Sequence, residues 1–122
     1  MSQVNTKALA ETVLTVASAA ITVSTTSASL NVGSLVELAI DVNISAITGT
    51  SPTYQLIIDR QGADGVWYPI YTGTSITAVG VVSLNVGRSL PTNVAFGSTI
   101  RLREVVGGTT PSVTRSVSVV GK

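Results

Sequence analysis

Residues 36–45 read Val-Glu-Leu-Ala-Ile-Asp-Val-Asn-Ile-Ser, with an aliphatic side chain at every even position and a small or polar side chain between. Successive side chains of a β-strand point to opposite faces of a sheet, so this stretch would present one apolar face and one polar face. We therefore predict a long strand over residues 35–47 whose even-numbered side chains face a core.

Further segments of strand length follow, separated by turn residues. Strands are predicted over residues 53–60, 66–72, 76–86, 99–106 and 112–120, and β-branched residues favour strands over residues 12–23 as well. Asp64-Gly65 is typical of a tight turn, and Pro69, which has no N–H to donate, indicates an edge strand. The predicted fold class is all-β: a single antiparallel β-sandwich, Ig-like or related, of about seven or eight strands.

Two short segments of the chain resemble each other. Residues 47–53 read Ile-Thr-Gly-Thr-Ser-Pro-Thr, and residues 106–112 read Val-Gly-Gly-Thr-Thr-Pro-Ser. Glycine frees a turn, and proline presets φ for the strand that follows. We predict two similar loops at the same end of the sandwich, each joining the end of one strand to the start of the next.

The N-terminal part of the chain is patterned differently from the rest. Residues 1–10 have no clear period, and residues 24–29 form a Ser/Thr-rich linker. We predict an N-terminal arm and extra edge strands over residues 1–34 and the β-sandwich domain over residues 35–122. The first residues lack the basic and then apolar layout of a signal peptide, and no run of about 18 apolar residues indicates a membrane span.

The composition is apolar and poor in charge. Hydrophobic residues make up 44% of the chain and charged residues 11%, against about 25% charged in a typical soluble domain. Few charges leave little to keep copies apart in solution, so we predict a homo-oligomer, with a trimer as one form. The alternative is a core-rich sandwich whose outer face is Ser and Thr. The net charge of +1 gives no electrostatic reason to expect nucleic acid or an anionic membrane as a partner.

The chain contains no cysteine and no histidine. This excludes the usual zinc sites, thiol nucleophiles and the imidazole base that a hydrolytic serine uses. Asp59, Asp64 and Glu104 are interpreted as solvent-facing acids. Calcium binding by Asp59 and Asp64 is the weaker alternative, because the dense Asp/Asn spacing of a calcium loop is missing. We expect no enzyme activity, no catalytic residue, no metal and no cofactor.

Trp67, Tyr68 and Tyr71 are predicted to form an aromatic cluster beside a tight turn. Exposed on a sheet, such a cluster would bind a protein partner or sugar rings, since Trp and Tyr dominate binding hot spots. The alternative is that Trp67 plugs one end of the core while the tyrosine hydroxyls reach water. Arg101 and Arg103 belong to the basic last third of the chain, which would either meet an acidic partner or present solvated arginines. These five residues are the candidate partner-binding residues.

Several motifs combine into a resemblance that covers residues 35–122. They are residues 47–53, Asp64-Gly65-Val66-Trp67-Tyr68, Ile100-Arg101-Leu102-Arg103, residues 107–112 and the Val-rich tail ending Gly121-Lys122. Together they resemble small structural proteins of tailed-bacteriophage virions, of the head decoration or minor capsid type.

The resemblance implies an Ig-like β-sandwich without enzyme activity, used as a head decoration or cement protein. Such a protein would bind the major capsid protein or other virion proteins and stabilise the shell. It would be made in the host cytoplasm and end in the virion. The alternatives are a tail-associated component, or a surface adhesion module that binds carbohydrate through the aromatic patch.

Overall fold

The computed structural model describes residues 11–87 and 97–122 and has seven β-strands in this part of the chain. In chain order they are β1 (Glu11–Ile21), β2 (Thr25–Thr26), β3 (Leu30–Asn31), β4 (Glu37–Gln61), β5 (Trp67–Thr72), β6 (Gly80–Gly87) and β7 (Thr99–Gly121). Every pairing between these strands is antiparallel. None of the described residues lies in a helix, so none belongs to a helix able to cross a bilayer. The prediction of an all-β antiparallel fold is confirmed, and the predicted arm at residues 1–10 lies outside the described residues.

Two long strands, β4 and β7, run through the whole sheet. They pair along almost their full length, from Leu38 with Gly121 to Arg60 with Ile100. β6 pairs with the first half of β4 and β5 with its second half, while β2 and β3 pair with the first half of β7 and β1 with its second half. Four of the predicted strands are therefore halves of two continuous ones: residues 35–47 and 53–60 in β4, and residues 99–106 and 112–120 in β7.

The sheet folds over on itself midway along β4 and β7. Glu104 and Arg115 both belong to β7, and on a straight strand they would lie about 36 Å apart, at about 3.3 Å per residue. Their side chains instead form an ion pair, with 2.6 Å between Arg115 Nε and Glu104 Oε2. The two halves of the sheet therefore face each other as layers. The first layer holds β1, β6, the first half of β4 and the second half of β7, and the second layer holds the remaining strands and halves.

Each long strand turns at a glycine, and the two turning points contact each other. Gly49 has a φ of 122° and Gly108 a φ of 108°, a region that L side chains rarely adopt. A Cβ on Gly49 would lie 2.9 Å from the Cα of Pro111, and a Cβ on Gly108 would lie 2.7 Å from the carbonyl oxygen of Ser51. The two segments that resemble each other in sequence therefore contact each other reciprocally, each through its glycine against the backbone of the other.

We call residues 48–53 and 107–112 the crease. Strand pairing continues through it, with Thr50 opposite Thr109, but the register shifts on either side of that pair. Pro52 and Pro111, which have no N–H for the ladder, fall among the residues that these shifts leave without a partner. The prediction that the two segments lie at the same end of the sandwich is therefore confirmed, whereas the prediction that each joins the end of one strand to the start of the next is wrong.

The core lies between the layers and is built from the alternating apolar positions. Leu38, Ile40, Val42 and Ile44 are each at most 2% exposed, as their even spacing predicts, whereas Val36 precedes β4 and is 38% exposed. The second half of β4, the other strands and the segment after β3 add Leu30, Val32, Tyr54, Leu56, Ile58, Leu84, Val86, Ile100, Leu102, Val113, Val117 and Val119. The core thus includes side chains from before residue 35, and the division of the chain at that point stays a prediction.

An ion pair is buried beside this core, contrary to the prediction that Glu104 faces solvent. Glu104 and Arg115 are 7% and 6% exposed, and Arg115 donates from Nε and Nη2 to both Glu104 oxygens, at 2.6 and 2.7 Å. The buried Tyr54 hydroxyl donates to the same carboxylate at 2.7 Å, and the Thr25 hydroxyl does so from β2. Burial raises the pKa of Glu104, but the hydrogen bonds from Arg115 and Tyr54 outweigh it and hold that pKa below its ordinary value. Because Arg115 belongs to the first layer and Glu104 to the second, the pair fastens the layers together.

Candidate functional site

The two candidate arginines lie on the outer face of the second layer. Arg101 and Arg103 alternate with core residues of β7, so their side chains point away from the core. Asp59 is the cross-strand partner of Arg101 on β4 and shares this outer face. With Trp67 of β5 they form what we call the arginine–tryptophan surface: Asp59, Trp67, Arg101 and Arg103.

Asp59 is the centre of this surface. It is 1% exposed, and its Oδ2 accepts hydrogen bonds from Arg101 Nε at 2.9 Å and from Arg103 Nε at 2.6 Å. Its Oδ1 accepts a third hydrogen bond from Arg103 Nη2 at 3.0 Å. Burial raises the pKa of Asp59, but the hydrogen bonds from Arg103 and Arg101 outweigh burial and lower the pKa below its ordinary value. The prediction that Asp59 faces solvent is therefore wrong, because two arginine side chains cover it.

Trp67 completes the surface from the neighbouring strand. The Cζ of Arg101 lies 4.4 Å from the centre of the indole ring, a cation–π contact. Trp67 is half-buried and does not belong to the core or to the residues packed against it. The interpretation of Trp67 as a plug at the end of the core is therefore wrong, and the indole lies on the outer face beside Arg101.

The two tyrosines do not join Trp67. Tyr68 follows Trp67 in the strand and so points to the opposite side, where its ring lies 5.9 Å from the Cζ of Arg60. Tyr71 is half-buried and packs against the core. The structure therefore brings together Trp67, Arg101 and Arg103, and the predicted cluster of three aromatic side chains is not formed. Partner binding by each of the five candidate residues stays a prediction.

Asp64 belongs to the β4–β5 turn rather than to a metal site. Its Oδ1 accepts the backbone N–H of Val66 at 3.0 Å, and its Oδ2 accepts the Tyr68 hydroxyl at 2.6 Å. These bonds lower the pKa of Asp64, with the Tyr68 hydroxyl contributing most. Within residues 11–87 and 97–122, no three His, Cys, Asp or Glu side chains form a group that would hold a metal ion. The calcium alternative therefore has no support from the geometry.

The clefts of the described chain include two that open between the layers. The first, of about 260 Å³, is lined by Leu56, Tyr71, Gly73, Thr74, Ile76, Val81, Val82 and Ser83. The second, of about 160 Å³, lies between β1 and β2 and includes the Glu104–Arg115 pair. That acid is already neutralised by its arginine, and neither cleft places a base beside a nucleophile in the part of the chain described.

The outer face of the first layer is polar but carries little charge. Its side chains include Asp41, Asn43, Ser83, Ser116 and Ser118, which lie opposite one another on β4, β6 and β7. Ser83 donates to Asp41 Oδ1 at 2.6 Å. Hydroxyl and amide groups thus line much of this face, as the alternative to assembly describes, although the exposed Val81 lies opposite Asn43. Exposed apolar side chains occur near the edges and loops, as with Val79 and Val81 at 60% and 68% exposure.

Comparison with known proteins gives no family. No protein-family model matches the sequence, and no curated protein matches it. Similar solved structures include the SPBc2 prophage-derived protein YomS, 16% identical over 91% of each chain with a TM-score of 0.46. A chain of infectious bursal disease virus, Gt strain, is 17% identical over 92% of this chain and 32% of that chain, with a TM-score of 0.49. Chitosan-binding module 1 of a Paenibacillus sp. IK-5 chitosanase/glucanase is 15% identical over 85% of this chain and 93% of that module, with a TM-score of 0.42. At these values none of the three assigns a function to this chain.

Sequence reasoning missed Asp59 as part of the site. It follows Leu56-Ile57-Ile58, so it continues a run of buried residues, and an acid in that position is a signal of a buried charge that needs a partner. Arg101 and Arg103, separated by one residue, supply that partner from the neighbouring strand. The signal was present in the sequence, but the pairing of β4 with β7 was needed to interpret it.

Proposed function

We propose that this protein is a non-enzymatic structural component of a tailed-phage virion that binds other virion proteins through its arginine–tryptophan surface. In its specific form, the proposal is a head decoration protein that binds the major capsid protein and stabilises the shell. The observation that carries the proposal is a pair of arginines held in place on an outer face by one buried carboxylate, with a tryptophan in cation–π contact with one of them. The sequence motifs that resemble virion structural proteins support the same assignment.

The surface has the properties of a protein-binding site. Tryptophan and arginine are enriched among residues that dominate binding energy. The side chains of Arg101 and Arg103 are 28% and 34% exposed, so they reach solvent although they are anchored. Side chains that are fixed before binding lose less conformational entropy when a partner arrives. A rigid two-layer scaffold that presents such a surface suits attachment to a shell, which requires no reactive group.

The proposal is tested on purified particles. Quantitative mass spectrometry should find the protein in stoichiometric amounts, and imaging should place it on the head. Particles that lack it should lose their contents at a lower temperature. Absence of the protein from purified virions would refute the proposal, and density on the tail would replace the decoration role by a tail role.

The binding surface is tested with substitutions on opposite faces. Trp67→Ala should reduce the copy number on particles at least about tenfold, since a hot-spot tryptophan contributes about 2 kcal/mol or more. Asn43→Ala, an exposed residue on the outer face of the first layer, is the matched control and should leave the copy number unchanged. Both variants should keep the wild-type circular dichroism spectrum. Equal loss in both variants would place the binding surface elsewhere.

No observation favours the carbohydrate-binding alternative. A sugar platform would use several aromatic rings on one face, but Tyr68 points away from Trp67 and Tyr71 packs against the core. One face of the indole is also beside the guanidinium of Arg101. Glycan binding that Trp67→Ala abolishes would nevertheless revive this alternative, and a glycan array with the purified protein measures it.

A further inference from the structure

We infer that Arg101 and Arg103 form a binding site for a carboxylate, and that the residue recognised on the partner protein is an Asp or Glu side chain. The inference rests on the proposed function for the existence of a partner protein. It goes further by naming the chemical group that the surface recognises.

The two arginines have hydrogen-bond donors to spare. A guanidinium carries five N–H groups. Asp59 accepts one hydrogen bond from Arg101, from Nε, and two from Arg103, from Nε and Nη2. The remaining N–H groups of both side chains have no acceptor within residues 11–87 and 97–122, and both side chains are partly exposed. An incoming acceptor would therefore find free donors without breaking the hydrogen bonds to Asp59.

The charges of the cluster do not cancel. Two guanidinium groups face one carboxylate, which leaves the Asp59, Arg101 and Arg103 cluster with a net charge of about +1. Asp59 is the one acid in the described chain that pairs with either arginine. A carboxylate brings one negative charge and would neutralise the cluster. A phosphate dianion would overcompensate it in a site that is only partly solvated.

The surroundings also favour a carboxylate over a phosphate. Phosphate sites in proteins commonly use backbone N–H groups at a helix N-terminus or in a glycine-rich loop. Here the arginines lie within β7, which is paired with β4 on one side and with β2 and β3 on the other. Few backbone donors are therefore left for a third and fourth oxygen. A carboxylate has two oxygens, and guanidinium N–H groups match its planar geometry.

Both guanidinium groups are oriented before a ligand arrives. Asp59 holds Arg103 by two neighbouring nitrogens, which fixes the plane of that group. Arg101 is held by Asp59 at Nε and by the Trp67 ring at its Cζ. Trp67 also supplies apolar surface beside the cation, which suits the methylene groups of an acidic side chain. Binding of a carboxylate here would therefore cost little conformational entropy in the Arg101 and Arg103 side chains.

The inference is tested on the isolated protein by NMR. The Nε–H signals of the arginines are followed while sodium acetate is added at constant ionic strength, with sodium chloride as the baseline and sodium phosphate as the competing anion. We expect saturable shifts of the Arg101 and Arg103 signals with acetate and affinity for phosphate at least about threefold weaker. Tighter binding of phosphate, or shifts that never saturate, would overturn the inference.

Variants show whether the two arginines carry the binding. Arg103→Gln should abolish the saturable acetate response, and Arg101→Lys, which keeps the charge but loses the planar group, should weaken it at least about fivefold. Arg60→Gln is the matched control, because Arg60 is exposed and contacts Tyr68 rather than Asp59. An unchanged acetate response in Arg101→Lys, which preserves charge and most of the packing, would refute the site even if Arg103→Gln fails to fold.

The two proposals fail separately. Acetate binding by a protein that is absent from virions would leave the carboxylate site intact and refute the proposed function. Stoichiometric incorporation into virions without any acetate response would keep the proposed function and refute the carboxylate site.

Discussion

At the scale of single residues, Asp59 determines how the outer face of the second layer is arranged. Its strand position is one that the alternation assigns to the outside, yet it is 1% exposed. The guanidinium groups of Arg101 and Arg103 donate to the carboxylate and cover it, while both side chains stay partly exposed. One short acidic side chain thus fixes two long basic ones.

Replacing Asp59 should cost stability and loosen the arginines. Asp59→Asn should lower the free energy of unfolding by about 1–3 kcal/mol, because the charged acceptor of three hydrogen bonds is lost while the partly exposed arginines regain water. Urea unfolding measures the loss. Asp41→Asn, an acid on the other outer face with one hydrogen bond from Ser83, should change the free energy of unfolding by no more than about 0.5 kcal/mol. Equal effects of the two substitutions would contradict the central role given to Asp59.

The alternation in the sequence predicted which face of the sheet a side chain lies on better than it predicted whether that side chain is exposed. The period of two correctly predicted that Leu38, Ile40, Val42 and Ile44 face the core. It failed for Asp59 and Glu104, because an outward or inward direction does not reveal whether another side chain will cover or neutralise an acid. The identity of that neighbour depends on which strands pair, and Arg115 reaches Glu104 only because β7 folds back.

At the scale of strands, the crease depends on two glycines that no other residue replaces well. Gly49 and Gly108 combine a positive φ with backbone atoms at less than 3 Å from the position of a Cβ. Backbone atoms of Ser51 and Pro52 cannot move aside as a flexible side chain would. Each long strand therefore turns at a residue without a Cβ, where the backbone of the other strand passes too close for any side chain.

A single methyl group in the crease should be costly. Gly108→Ala should lower the free energy of unfolding by at least about 2 kcal/mol, through the strained φ and the contact with Ser51. Gly80→Ala is the control, since Gly80 begins β6 and a Cβ there meets no atom within 4 Å. Its free energy of unfolding should stay within about 0.5 kcal/mol of the wild type. Thermal or urea unfolding of both variants measures the two free energies. If Gly108→Ala is as stable as the wild type, the crease accommodates a Cβ and the prediction is wrong.

The strands show what sequence can and cannot predict about elements. The edge position of β5, indicated by Pro69, is confirmed, because in the described chain β5 pairs with β4 alone. The Gly-Thr-Ser-Pro and Gly-Thr-Thr-Pro segments contain the residues of ordinary loops, so the sequence predicted that four strands end there. Pairing continues instead, because each segment borders the other and Thr50 meets Thr109. A contact between segments so distant in the chain cannot be deduced from either segment alone.

At the scale of the whole molecule, the buried pair of Glu104 and Arg115 connects the two layers. Breaking a buried pair by removing one partner leaves an uncompensated charge, and the usual cost is about 3–5 kcal/mol. The pair is therefore a contact on which the packing of one layer against the other depends. It also makes the stability of the molecule depend on pH.

Acid should weaken the molecule through Glu104. Because its pKa is lower in the folded protein than the ordinary 4.5, its contribution is present above that value and is lost as the pH falls through the folded pKa. We expect the free energy of unfolding to fall as the pH drops below about 4.5 and on through the lowered pKa of Glu104. Glu104→Gln should cost about 3–5 kcal/mol at neutral pH, and its difference from the wild type should shrink in acid.

Urea unfolding at several pH values tests this expectation. Tyr54→Phe, which removes one hydrogen bond to the Glu104 carboxylate, is a milder variant with an expected cost of about 1.5–3 kcal/mol. A difference between Glu104→Gln and the wild type that stays constant from neutral to acid pH would contradict the assignment of the acid response to this carboxylate.

The long ladder between β4 and β7 has a consequence for how the chain reaches this structure. Its rungs join residues far apart in sequence, and the separation grows steadily from Arg60 and Ile100 to Leu38 and Gly121. The entropy cost of loop closure is lowest for the pair Arg60 and Ile100. We therefore expect strand pairing to begin there and to extend through the crease toward Leu38 and Gly121. Refolding dominated by such distant contacts is expected to take about milliseconds to seconds. β1 pairs with the second half of β7, so it is expected to join the sheet only after that half has paired with β4.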